Sequence, residues 1–400
     1  MNKVIIIFIS AFILTSGTFC SNAQQPATVE TRKPNTDYKP AFAGQTRINA
    51  VVSKTPFETK IITSSLSRPW GIAALPDGRF LITEIEGSMR IVTGSGSVGD
   101  PIMGVPKVYS AGQGGLLGIC IDPAFSTNRM VYWAFSEPVG EGSLTSVAKG
   151  TLSADEKSLE NAAVIYRAEP SYNGSLHFGG RVLVAKDGSL FLSTGERSDK
   201  VTRPQAQDLN SGLGKVIRIT KDGKPAPGNP FIGKAGARPE IYSYGHRNVQ
   251  GISLHPGTGE LWEAEFGPRG GDEVNRILPG KNYGWPTITY GIEYGGGKVG
   301  AGIQQKEGLE QPVYYWDPVI SPSGITFYTG NHIGEWKNNL FVAALSGMHI
   351  CRLVIENNKV TGEERLLTKE LQRFRDITEG ADGALYAITD QGRLYRIGKK

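Results

Sequence analysis

Cysteine is nearly absent from this chain, with 3 in 400 residues. That is too few for a disulfide scaffold, and past the leader only Cys120 and Cys351 remain as one conceivable pair. The 5 histidines are scattered at 177, 246, 255, 332 and 349, without the close spacing of a zinc site. No GxSxG, CxxC or HExxH occurs, which removes the nucleophile elbow, the dithiol redox motif and the zinc hydrolases. GSGSVG (94–99) matches a dinucleotide fingerprint by letters alone. Asp100-Pro101 follows it and no helix opens, so it is a turn. Charged residues make up 20% and hydrophobic ones 39%, with no low-complexity run, which excludes disorder, collagen and coiled coil. The net charge of +5 comes without a Lys/Arg cluster and argues against nucleic acid. After residue 14 no stretch is long and apolar enough to span a bilayer.

The first residues form a separate unit. Met1-Asn2-Lys3 leads into an apolar stretch over 4–14, and Ser21-Asn22-Ala23 gives a small-x-small pattern. These are the parts of a secretory signal cleaved after Ala23, which predicts a periplasmic or secreted product. Residues 24–55 are polar, Pro-containing and aperiodic, which predicts a flexible leader. The folded domain is expected over 56–400.

What the chain has in excess is glycine, 52 of 400 residues against a usual share of roughly 7%. From Phe57 onward short apolar segments alternate with Gly, Asp and Asn turns, and no helical period persists, so the chain reads as all-β. A turn followed by an apolar strand recurs six times. The copies are PDGRFLITE, STNRMVYWAF, KDGSLFLSTGE, PGTGELWEAEFG, WKNNLFVAAL and ADGALYAITD. One such unit per sheet predicts a six-bladed β-propeller, with the strand at 393–397 pairing with 57–62 to close the ring. The spacing between copies exceeds a minimal blade, which predicts long loops forming the site on one face.

Polar groups concentrate in Gly-rich loops: AGQGGLLG, SLHFGGR, YGHRNVQG and EFGPRGGDEVNRILPGKNYGWP. The last exposes carbonyls at Gly267 and Pro268 beside Asp272 and Glu273, a mixture that suits a hard cation such as Ca²⁺. His177 lies among small residues that let a ligand approach, as a general base requires. Arg247-Asn248 and the Arg373/Arg375 pair are forks suited to carboxylates. The residues alone leave structural alternatives open for each: a glycine-rich turn with solvated acids, a hydrogen-bonded histidine, interblade salt bridges.

Taken together, RPWGIAALPDG, GQGGLLGICIDPAF, HFGGR, LSTGER, AQDLNSGLGKVIRI, EIYSYGHRNVQG, FGPRGGDEVN, GKNYGWP, YYWDP, LFVAAL and RFRDI resemble the soluble pyrroloquinoline-quinone (PQQ)-dependent aldose sugar dehydrogenases of the glucose/sorbosone dehydrogenase family. The resemblance runs from about Ser67 to Lys400, and that family is built on a six-bladed propeller. It implies that His177 is the catalytic base, oriented by Glu196, and that Arg247 lies against the reactive carbonyl of the quinone. Asn248, Gln250, Gln113, Tyr294, Arg373 and Arg375 match further cofactor contacts. Gly267 and Pro268 match carbonyls on the cofactor's Ca²⁺, and Glu273 with the carbonyl of Tyr283 matches a second, structural Ca²⁺. The implied reaction is oxidation of the anomeric C1 hydroxyl of an aldose to the lactone. Its hydride passes to the quinone and its electrons to an unidentified acceptor, in a monomer or homodimer without a membrane span.

Three positions depart from the family pattern. Leu176 stands where glucose-oxidising members carry Asp, Ser346 where they carry a cofactor-binding Lys, and Phe266 where a polar residue is usual. Two other readings are carried forward: a non-catalytic carbohydrate- or partner-binding propeller, and a Ca²⁺-dependent lactonase using Glu84, Glu196, Glu265 and Asp390 at strand ends.

Overall fold

The computed structural model describes residues 27–400; the signal expected over 1–23 lies outside them. Six antiparallel sheets each start from one inner strand: Pro69–Ala74, Leu116–Ile121, Gly179–Val184, Val249–Leu254, Pro322–Phe327 and Phe374–Glu379. Each inner strand contacts the next, and the last contacts the first, so the sheets form a six-bladed propeller. All six repeat copies turn out to be the second strand of a blade. The reason is physical: that strand is buried on both faces, so its apolar run is the most regular stretch of its blade. Among the described residues blade 1 has three strands. The ring closes where Phe57–Thr63 pairs with Leu394–Lys399 as the outer edge of blade 6.

Burial is divided into slabs between neighbouring blades. One cluster joins Trp133 and Phe135 of blade 2 to Leu81 and Met89 of blade 1. Others join blades 2 and 3, 3 and 4, 4 and 5, 5 and 6, and 6 and 1. Cys120 and Cys351 belong to different slabs and are both free.

Close packing at the axis depends on glycine. A Cβ on Gly71 would stand 2.9 Å from Leu117 O, and one on Gly251 would stand 2.3 Å from Ser323 O. At the equivalent position blades 3 and 6, opposite each other, carry Arg181 and Asp376 instead, and these pair across the channel. Arg181 also donates to the Gln250 carbonyl and stacks on Trp70, and the Ile72 amide donates to Asp376.

The expectation of a flexible leader over 24–55 does not fit its described part. The amide and side chain of Asn35 and the amide of Thr36 donate to Asp317, Ser53 is bound to Glu364, and Thr55 to Glu335. Composition missed this because the segment satisfies its polar groups on propeller carboxylates rather than within itself.

Candidate active site

Every blade has a register shift between its first two strands, at Pro69/Gly71, Leu116/Ile119, Leu192/Thr194, Val249/Gly251, Pro322/Ile325 and Phe374/Asp376. Such bulges turn side chains out of the ladder. They lie where inner strands begin and second strands end, and the chemistry-bearing residues gather there. His177 precedes the inner strand of blade 3, Arg247 and Asn248 that of blade 4, and Arg373 that of blade 6. Glu196 and Asp390 follow second strands.

His177 is 4% exposed and has a left-handed backbone, φ 48°. Its amide donates to Gln113 Oε1 at 2.9 Å, and its Nδ1 is 2.6 Å from Glu196 Oε1. Gly195 makes this approach possible, since a Cβ there would stand 2.2 Å from His177 O. With Nδ1–H donated to the carboxylate, Nε2 is the acceptor. Burial, and next the Arg247 charge, lower the imidazole pKa to about 4, against the opposing pull of Glu196. The ring is therefore neutral at physiological pH and able to take a proton.

Arg247 Nη1 donates to Gly267 O at 2.7 Å and Phe266 O at 3.1 Å, and Nη2 lies 3.4 Å from the hydroxyl of the largely exposed Tyr294. Its Nε and the Nδ2 of Asn248 are buried without partners. Asn248 Oδ1 accepts from the Gly179 amide at 3.0 Å, which ties blade 4 to the loop carrying His177.

A cavity of about 250 Å³ opens beside these groups, lined by Trp70, Gln113, Gln250, Arg373, Arg375 and Asp390. Arg375 donates to Gln250 Oε1 at 3.1 Å, and both arginines share Asp390, at 2.8 and 2.9 Å. Two guanidiniums against one carboxylate leave the cavity wall cationic. Phe374 is fully buried behind them. Leu176 is 40% exposed beside the base, and Ser346 Oγ is hydrogen-bonded to Ser321 Oγ at 2.7 Å.

Behind Arg247 lies an acidic cluster that the sequence reading found only in part. Glu263 pairs with Asn275, and Glu265 with Glu273, across the two antiparallel strands. Asn275 Nδ2 donates to Glu263 at 2.7 Å and to Glu273 at 3.2 Å, while His246 Nδ1 is 3.2 Å from Glu265. Burial, and then the Glu265 charge, push the Glu263 and Glu273 pKa values well up. Glu263 Oε2 and Asn275 Oδ1 are buried with no partner. Oxygen donors desolvated in this way are what a hard cation stabilises. The signal was present in the sequence: WEAE and DEVN alternate, and a hairpin places their polar positions on one face. Tyr283 and Glu273 line the same tight pocket as Gly267 and Arg247; Pro268, buried, follows in the same loop.

The four strand-end acids of the lactonase reading do not converge. Glu84 holds Arg90 and the Ser67 amide, Glu196 holds His177, Glu265 holds the Arg247 amide, and Asp390 holds two arginines.

A six-bladed propeller with a carboxylate-oriented imidazole beside a cationic cavity defines a class of propeller enzyme that works on one face of the ring. The chain belongs to the glucose/sorbosone dehydrogenase family, whose model matches residues 66–396. It is 39% identical over 343 residues to the aldose sugar dehydrogenase YliI of Escherichia coli, covering 84% of this chain and 92% of that protein. It is 27% identical to quinoprotein glucose dehydrogenase B of Acinetobacter calcoaceticus, over 84% of this chain and 85% of that one. The PQQ-bound form of the aldose sugar dehydrogenase from Streptomyces coelicolor superposes with a TM-score of 0.69 at 29% identity, over 87% of this chain and 99% of that one.

Proposed function

We propose that the protein is a PQQ-dependent aldose sugar dehydrogenase that oxidises the anomeric C1 hydroxyl to the lactone. The observation that carries this reading is the His177–Glu196 pair beside the cavity walled by Gln113, Gln250 and Arg375. The PQQ-bound relative supports the choice of cofactor. The donor chemistry fits as well, because a tricarboxylate quinone matches a wall with excess guanidinium and the unpartnered Arg247 Nε and Asn248 Nδ2.

When bound, the quinone supplies the hydride acceptor. His177 takes the proton of the sugar hydroxyl at Nε2, and Glu196 stabilises the imidazolium that results. Arg247 would offer a bound quinone a fixed positive charge. Gln113 fixes the His177 backbone through its amide. The Gly267 and Pro268 carbonyls would hold Ca²⁺ at the cofactor, and Glu273 with the Tyr283 carbonyl a structural one. Unpartnered Glu263 Oε2 and Asn275 Oδ1 beside Glu273 fit the second site. Among the described residues no helix is long and apolar enough to cross a membrane. The signal at 1–23 would deliver the enzyme to the periplasm or medium, where an acceptor takes its electrons.

The test is reconstitution. Purified protein is stripped with a chelator, given PQQ, Ca²⁺ or both, and screened on aldoses with an artificial acceptor dye. Turnover requiring both is expected. Oxidation supported by a nicotinamide or flavin, or lactone hydrolysis without quinone, contradicts the reading. Quinone binding without any turnover would favour the non-catalytic alternative.

A further inference from the structure

Arg197, the last residue of the TGER run, is 2% exposed. None of its hydrogen bonds goes to a carboxylate. Nε donates to Leu176 O at 3.1 Å, Nη1 to Ser143 O at 2.7 Å, and Nη2 to Ser143 Oγ at 3.1 Å and to Gly174 O. The guanidinium also lies over Phe178, its central carbon 3.9 Å from the ring centroid. These contacts fall immediately before and after His177 and reach across to blade 2. The loop is further tied to that blade by reciprocal Ser143–Tyr172 backbone bonds and by the Gln113 amide donating to Ser175 O.

The segment so held is conformationally unfavourable. His177, Arg197 and Ser198 all have left-handed backbones, at φ 48°, 74° and 61°, although none is glycine. Such conformations persist only where the surroundings over-determine them. Only a planar fork with five donors can serve acceptors on three residues of two segments while stacking on an aromatic ring; a lysine ammonium cannot.

We propose that Arg197 is a positioning residue for the base: its fork fixes the 172–178 loop so that His177 holds its left-handed backbone and its contact with Glu196. The proposal rests on the reading of His177 as the base. Arg197 is buried and acts through the loop and through its charge. The charged groups facing the imidazole are Glu196 from blade 3, Arg247 from blade 4 and Arg197 itself.

The test compares Arg197→Met and Arg197→Lys with His177→Ala in enzyme reconstituted with PQQ and Ca²⁺. For Arg197→Met, kcat should fall about 10²-fold, the scale of a misplaced catalytic group. KM for the aldose and quinone affinity should stay within about threefold, which separates positioning from binding. The acid limb of the kcat/KM profile should move to higher pH, because a cation beside the imidazole is gone. Arg197→Lys keeps the charge but not the fork, so it should lose about tenfold in kcat with the acid limb unmoved. Unchanged kcat in Arg197→Met, or a loss matched by equal losses of quinone affinity and thermal midpoint, overturns the proposal. If Arg197→Met does not fold, Arg197→Lys decides: wild-type kcat overturns, and a tenfold loss at an unchanged midpoint supports. If His177→Ala keeps its activity, the reading of the base fails, a result distinct from failure of the Arg197 role alone.

Discussion

Where the six inner strands begin they carry Trp70, Leu117, Gly180, Gln250, Ser323 and Arg375, and two residues later Ile72, Ile119, Val182, Ile252, Ile325 and Ile377. The aliphatic ring lines a cavity of about 480 Å³ at the far mouth of the channel, larger than the 250 Å³ cavity beside His177. Its rim acids are already engaged, Asp122 by Lys221 and Glu379 by Thr329. Between the two mouths the Arg181–Asp376 pair lies across the axis. Volume therefore does not mark the site. The far mouth takes a like aliphatic residue from all six blades, while at the strand starts the blades differ, and Gln250, Ser323 and Arg375 bring polar groups beside the bulges.

The sharpest way to break this comparison is to substitute on each side. His177→Ala should lower kcat by about 10²–10⁴-fold, the worth of a positioned general base. Ile325→Ala at the far mouth should leave kcat unchanged and cost about 2–5 kcal/mol of stability, read by denaturant titration. A large kcat loss in Ile325→Ala would erase the distinction.

Asp376→Ala tests the divide itself. It leaves Arg181 buried and uncompensated, and should cost about 3–5 kcal/mol of stability. A smaller effect follows at the cationic wall. Arg375→Ala should weaken quinone binding by about 1.5–3 kcal/mol, the scale of charge-assisted hydrogen bonds. Arg373 is 43% exposed against 14% for Arg375, so Arg373→Ala should cost less, and Ser346→Lys should tighten binding. Absorbance titration with PQQ orders the three, and equal affinities throughout would remove the wall from cofactor binding.

The mildest effect is on pH dependence. Burial, the leading cause in both, depresses the pKa of His177 to about 4 and of His349 to about 3, from 6.5. The unfolded chain therefore binds these protons first, and stability falls as pH drops from 6.5 toward 4 and 3. His177→Ala should flatten the upper part of that decline, whereas Ile325→Ala should leave its slope unchanged.

The two mouths also differed in how far the sequence revealed them. The six second strands were legible because burial on both faces makes them regular, and their number gave the blade count. The family motifs named His177, Glu196, Arg247 and the Arg373/Arg375 pair; the two arginines line the 250 Å³ cavity, and the His177 amide donates to Gln113 on its wall. Arg181 and Asp376 stand 195 residues apart, and no local pattern joins them; only the ring brings them together. Glu263 and Asn275 were hidden differently, since Glu263 fell in a run read as the apolar strand of a repeat and Asn275 in one read as a Gly-rich loop. Arg197 was quoted within a motif, yet its partners at 143, 174 and 176 belong to another blade and another loop. Local periodicity records burial; contacts between blades require closure of the ring.

A crystal structure of the protein grown with PQQ and Ca²⁺ tests the central claim most directly. The account predicts the quinone in the cavity between Gln113, Gln250 and Arg375, with His177 Nε2 facing the space left for the sugar. Quinone in the aliphatic cavity of the far mouth, or absent from the His177 face at saturating concentration, would contradict it.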